Sequence, residues 1–123
     1  MISRFNLFVL RANDLTISKQ FYETLLDTPF LSEQHPGGPL HYSTTIDGIV
    51  FELYPAAKSV SEEKVNASLK PSLGFIVKSL DKLIEKLNIK GIIYKGPSEN
   101  DWGRSIVVYD PDRYRIELME EKL

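Results

Sequence analysis

The 123-residue sequence contains no cysteine. That removes disulfides, thiolate zinc sites and cysteine nucleophiles in one step. No run of like charge is present: fifteen basic residues face seventeen acidic ones, for a net charge of -2. Nucleic acid and anionic membrane surfaces are therefore not indicated as partners. There is no glycine-rich phosphate loop, P-loop or nucleophile elbow, so covalent and nucleotide-dependent chemistries lose ground. Long hydrophobic runs are missing too. "MISRFNLFVL" holds a short apolar stretch that passes at once into "RAND", which matches neither a signal peptide nor a membrane span. A soluble, cytoplasmic protein is the default expectation.

The apolar content of 42%, with 11% aromatics, suffices for the core of one ordinary domain or of two closely packed halves. The chain repeats itself. An apolar β-like stretch, "SRFNLFVLRAND", reaches an N-cap candidate, Asp14, and a helical pattern follows with Ile17, Phe21 and Leu25 at four-residue spacing. Later "SLGFIVKS" reaches Ser79, and Leu80, Leu83, Ile84 and Leu87 form an amphipathic stripe. Strand-like segments follow each helix and end in "IDGIVFEL" and "PDRYRIEL". Ser79 minus Asp14 is 65, and Glu117 minus Glu52 is also 65. This common offset argues for a duplicated strand–helix–strand–strand–strand unit. The expected division is a first module over 1–55, a linker over 56–71 and a second module over 72–123.

Facing follows from hairpin geometry, because residues paired across a hairpin point to the same side. With Asp47-Gly48 as a two-residue turn, His41, Ser43, Thr45, Val50, Glu52 and Tyr54 share one face. Tyr42, Thr44, Ile46, Ile49, Phe51 and Leu53 share the more apolar face, which should pack on the helix. In the second copy Ile106, Val108, Arg115 and Glu117 are expected opposite Ile116 and Leu118. "GPSEND", before Trp102, reads as a turn. At the constant offset Arg113 stands where the first copy has Gly48. The expectation is a left-handed arginine in a solvent-exposed turn, with a strain of roughly 1 kcal/mol.

Each module thus carries one glutamate on the face away from its helix. An isolated buried carboxylate is expensive, so each must be hydrated, paired or bound to a cation. For Glu117 a salt bridge to Arg115 is one reading. Convergent carboxylates serving a hard metal or acid–base chemistry are the other.

Together these stretches resemble the vicinal oxygen chelate superfamily, which includes glyoxalase I, bleomycin- and fosfomycin-resistance proteins and extradiol dioxygenases. The resemblance rests on "ANDLTISKQFYETLL", "FELYP", "SLGFIVKSLDKL", "WGRSIVVYDPD" and "RIELME", in this order and spacing. It implies an α+β fold of two βαβββ modules forming a curved mixed sheet around a cleft, often completed across a homodimer. In metal-dependent members the ligands come from the first and last strands of each module. The last-strand positions correspond to Glu52 and Glu117. The first-strand positions fall on Ser72 and on Leu7, or on Asn6 if "RAND" hides a bulge. Serine is a poor transition-metal ligand and leucine is none. What remains is a weak oxygen-rich site for one divalent ion at Glu52 and Glu117, with Asn6, His41 or waters making up the shell, or no metal at all.

His41 is the general-base candidate, or else a solvent-exposed histidine at a strand start. His35, in "HPGGPLHY", reads as a loop residue. Tyr54, Trp102, Ser43 and Arg115 are the candidate ligand contacts. The resemblance implies a divalent-metal-assisted lyase or isomerase acting on a small carbonyl compound, with Glu52 or Glu117 as base. It also admits a metal-free small-molecule-binding protein of the drug-resistance type, and, third, a non-catalytic dimerisation module.

Overall fold

The computed structural model describes residues 1–57 and 69–122. The chain divides into two compact units, each built as a strand, a helix and three strands. The linker expected over 56–71 lies for the most part outside the described residues.

In the first unit β1 (Leu7–Ala12) leads to α1 (Leu15–Leu26), then β2 (Leu31–Glu33), β3 (His41–Ile46) and β4 (Ile49–Pro55). The sheet order is β1-β4-β3-β2, with β1 parallel to β4 and the other pairs antiparallel. A parallel pair needs a long crossover, and α1 belongs to it. The helix starts where expected: the Asp14 carboxylate accepts the Ile17 N–H at 3.1 Å, a standard N-cap bond. It stops at Asp27, which is left-handed at φ 52°. Glu23 ties the helix to the next segment by accepting the Phe30 N–H at 2.8 Å and pairing with Lys19 at 3.2 Å. The Phe30 N–H is the main cause holding this carboxyl below the usual carboxylate range, with Lys19 assisting.

Alternation decides which side is core. Leu10, Phe51 and Leu53 are buried with Tyr22, Leu25 and Phe30, and the Tyr22 and Phe30 rings lie 5.2 and 5.8 Å from Phe51. Burying each such side chain contributes about 1.5–3 kcal/mol. Asp47 and Gly48 both have positive φ, 49° and 78°, the two-residue turn that matches strand twist. The expected facing of β3 and β4 is present: Ser43 pairs with Glu52 and Thr45 with Val50.

The second unit comprises β5 (Leu73–Val77), α2 (Leu80–Lys90), β6 (Lys95–Asn100), β7 (Gly103–Tyr109) and β8 (Arg115–Glu120), in sheet order β5-β8-β7-β6. Ser79 caps α2 by accepting the Lys82 N–H at 3.2 Å. Glu120 accepts the Leu80 N–H at 2.8 Å, and Gly91 ends the helix in the left-handed region. Ile106, Val108, Ile116 and Leu118 are buried with Leu80 and Leu87. No helix among the described residues is long and apolar enough to cross a membrane.

Two expectations need correction here. Glu117 pairs with Val107, while Val108 pairs with Ile116 and Ile106 with Leu118. Ile106 and Val108 therefore face the helix, and Val107 shares the side of Glu117. The cause is the connecting loop. Asp110 and Tyr114 still pair through backbone, and the Arg113 N–H reaches the Asp110 carbonyl. Three residues close this hairpin where two close the first, a turn followed by a left-handed residue. Offset 65 holds between β4 and β8, but Val107 minus Ser43 is 64. Arg113 is left-handed at φ 71°, as that loop demands of its last residue. Glycine at Arg113 is accordingly expected to raise stability by about 0.5–1 kcal/mol, read as a higher urea midpoint. Second, "GPSEND" is mostly strand: β6 includes Gly96 to Asn100 and has a bulge between Lys95 and Ser98. Pro97 is tolerated because β6 is an edge strand, where one row of N–H groups has no ladder partner to supply.

Candidate functional site

The polar side chains that stand out in the first unit cross its sheet as one row. Register places Arg11 of β1 beside Tyr54 of β4, and His41 of β3 beside Glu33 of β2. The Arg11 guanidinium lies 5.0 Å from the Tyr54 ring centroid. The Tyr54 and His41 rings stack at 4.1 Å and 10°. His41 Nε2 is 3.1 Å from Glu33 Oε1 and 3.6 Å from Glu52 Oε2. His41 is thus not a solvent-exposed residue at a strand start, being 1% exposed.

The tautomer follows from the other ring nitrogen. Nδ1 lies 3.2 Å from the Pro39 carbonyl, which can only accept, so Nδ1 carries a proton and donates it there. Nε2 is left facing two carboxylates. With acceptors at both ring nitrogens, a neutral ring can donate to one side only, and a cation shared with the carboxylates would satisfy the other.

His35 belongs to this group, not merely to the loop. Its ring lies 5.2 Å from that of His41. The cause is a tight turn: Gly38 N–H bonds the His35 carbonyl at 2.9 Å, and Gly37 takes φ 78°. Pro36 and Gly37 fit the second and third places of a type II turn. Glu33, His35 and His41 present ligand atoms within 4.8 Å of one another. The sequence reading missed Glu33 altogether. The available signal was the spacing Glu-x-His-x5-His, seen only once the segment is folded as a hairpin.

Next to the polar row lies a mixed one, apolar at both ends. Val9, Glu52, Ser43 and Leu31 are aligned across β1, β4, β3 and β2. Leu7, beside Val50, shares their face. Leu7, Val9 and Leu31 remain 45%, 37% and 70% exposed, whereas the Glu52 side chain is only 13% exposed. Of the residues singled out from sequence, His41, Ser43, Glu52 and Tyr54 are brought together here. Asn6 is not among them: β1 runs in unbroken register from Leu7, so no bulge moves Asn6 into that place. Glu117, beside Gly74 and Val107, and Arg115, beside Tyr109, belong to the second unit. So does Trp102, which is exposed in the turn between β6 and β7, its N–H bonded to Asn100 Oδ1 at 3.2 Å. The counterpart of the polar row in that unit is Ile76, Met119, Ser105 and Ser98. It holds no ionisable group, so the fold itself does not require one there.

The family model described as "Glyoxalase-like domain" matches residues 5–122. The chain belongs to the glyoxalase-like domain family. This places it in the vicinal oxygen chelate superfamily. Its fold recurs in the antibiotic-binding protein TnmS3 of a Streptomyces species, at 22% identity, 98% coverage of each chain and a TM-score of 0.76. A variant of the fosfomycin resistance protein FosX of Listeria monocytogenes, complexed with Mn(II) and a dihydroxypropylphosphonic acid, aligns at 21% identity. That alignment covers 100% of this chain and 96% of the other, with a TM-score of 0.75. A glyoxalase candidate of Bacillus halodurans gives 16% identity, 95% coverage of each chain and a TM-score of 0.78. At these identities the likeness is one of fold. None of the curated proteins matches the chain.

This glyoxalase-like protein does not fit the metal set that the superfamily implies. Leu7, on the Glu52 side of the sheet, offers no donor atom, and Ser72, just before β5, offers only a hydroxyl. No chemical step is assigned to an ion held at those positions.

Proposed function

We propose that the protein binds a small, mainly apolar molecule on the face of the first unit's sheet that carries Glu52, with Glu52 and His41 as its polar anchors. One observation carries this reading. A carboxylate of 13% exposure sits in a row between Val9 and Leu31, which stay in contact with solvent. Small-molecule sites combine an apolar lining with a few well-placed polar groups. Ser43 and Tyr54 stand beside the anchors and would help orient a hydroxyl or carbonyl. The antibiotic-binding relative supports this class of ligand. A homodimer belongs to the same proposal.

A panel of antibiotics bearing hydroxyl and carbonyl groups, titrated calorimetrically in EDTA, tests the reading. At least one compound should bind saturably at one per chain. Glu52→Gln should weaken it by about tenfold or more, equivalent to a charged hydrogen bond, and Val9→Asp should abolish it. Saturable binding indifferent to both substitutions would rule this face out.

A second reading, a lyase or isomerase acting on a carbonyl compound, is favoured by the 3.6 Å approach of His41 Nε2 to Glu52. Glu52 would remove a proton beside the carbonyl and His41 would stabilise the charge. Exchange of that proton for deuterium in small ketones, lost in Glu52→Gln, would distinguish turnover from binding.

A further inference from the structure

We infer that Glu33, His35 and His41 form a binding site for a transition-metal ion of the zinc or nickel class, at positions other than those the superfamily uses. Two imidazoles and one carboxylate are the donor set such ions accept, and three protein ligands leave a position open. Their ligand atoms lie within 4.8 Å of one another. Atoms bound tetrahedrally at about 2.0–2.1 Å from one ion stand about 3.3 Å apart. His41 Nε2 and Glu33 Oε1, at 3.1 Å, already have that spacing. His35 and Glu33 are exposed, so their side chains can close the remaining gap without disturbing the core.

Three further features point the same way. The bond from Nδ1 to the Pro39 carbonyl fixes the His41 ring and leaves Nε2 as the donor, the outer-shell arrangement common to metal-bound imidazoles. Nε2 faces Glu52 as well as Glu33, and one bound cation satisfies both carboxylates. The His35–Gly38 turn brings the third ligand back onto the strand ends. All three ligands come from one nine-residue hairpin segment, 33–41, so the site needs nothing outside the first unit.

The test is calorimetric titration of Zn(II) and Ni(II) into the full, tag-free chain after chelator treatment. One equivalent should bind and raise the melting temperature. His35→Ala and Glu33→Gln should each weaken binding by about tenfold or more. Glu99→Gln, on exposed β6, should leave it unchanged. His35 is an exposed loop residue, so its replacement keeps the fold and the result interpretable. No saturable uptake, or an affinity indifferent to His35→Ala, overturns the site and leaves an imidazole–carboxylate ion pair only. The antibiotic panel is run in EDTA, so metal binding and small-molecule binding can each fail alone.

Discussion

Alanine at Asp110 is expected to destabilise the second unit by about 2–4 kcal/mol, with a proportionate fall in urea midpoint. Asp110 is 5% exposed and one of its oxygens accepts two backbone donors, Asp112 N–H at 2.8 Å and Tyr114 N–H at 2.9 Å. Its own backbone bonds Tyr114 and Arg113. One side chain therefore closes the whole β7–β8 connection. Hydrogen bonds to a charged acceptor contribute about 1.5–3 kcal/mol each, less than additively where they share an oxygen. Asp110→Asn keeps an acceptor at that point and should lose no more than about 1 kcal/mol. If Asp110→Ala and Asp110→Asn unfold alike, the oxygen is not what holds the turn.

A loss of about 3 kcal/mol is expected for His41→Ala in the first unit, together with loss of metal uptake. The ring is buried at 1% exposure, stacked on Tyr54 and bonded at both nitrogens. Truncation leaves a cavity under Tyr54 and removes the bond to the Pro39 carbonyl. It also removes the group held between Glu33 and Glu52. His41→Gln keeps a polar side chain in the gap and should recover part of the stability while remaining unable to bind Zn(II) tightly. Guanidinium denaturation reads the first effect and calorimetry the second. Full stability in His41→Ala would show the ring to be a passive occupant of its place.

Some of this was legible from residues alone, and the boundary has physical causes. Asp14 and Ser79 announce their helices because capping chemistry is local. The facing of Glu52 followed from Asp47-Gly48, whose two-residue geometry leaves one register. The facing of β7 did not follow, because "DPDR" closes on three residues under control of the Asp110 side chain. A one-residue change inverts every assignment on a strand. β6 was hidden in turn-forming residues, since an edge strand tolerates a proline that an inner strand would not. Glu33 and His35 lay beyond reach for another reason. Their meeting with His41 depends on how the 34–40 loop folds, which no periodicity encodes. The family resemblance directed attention to Leu7 and Ser72, where this chain offers no donor atom and only a hydroxyl, respectively.

Two of the four outer strands, β2 and β6, have a consequence for the behaviour of the protein in concentrated solution. β2 is only three residues long, and β6 is broken by a bulge beside Pro97. Neither offers a long, straight row of free backbone groups on which another chain could add a strand. Runaway strand-by-strand aggregation is thereby discouraged along these two margins. A protein that leaves Leu7, Val9 and Leu31 open to solvent has particular need of such protection.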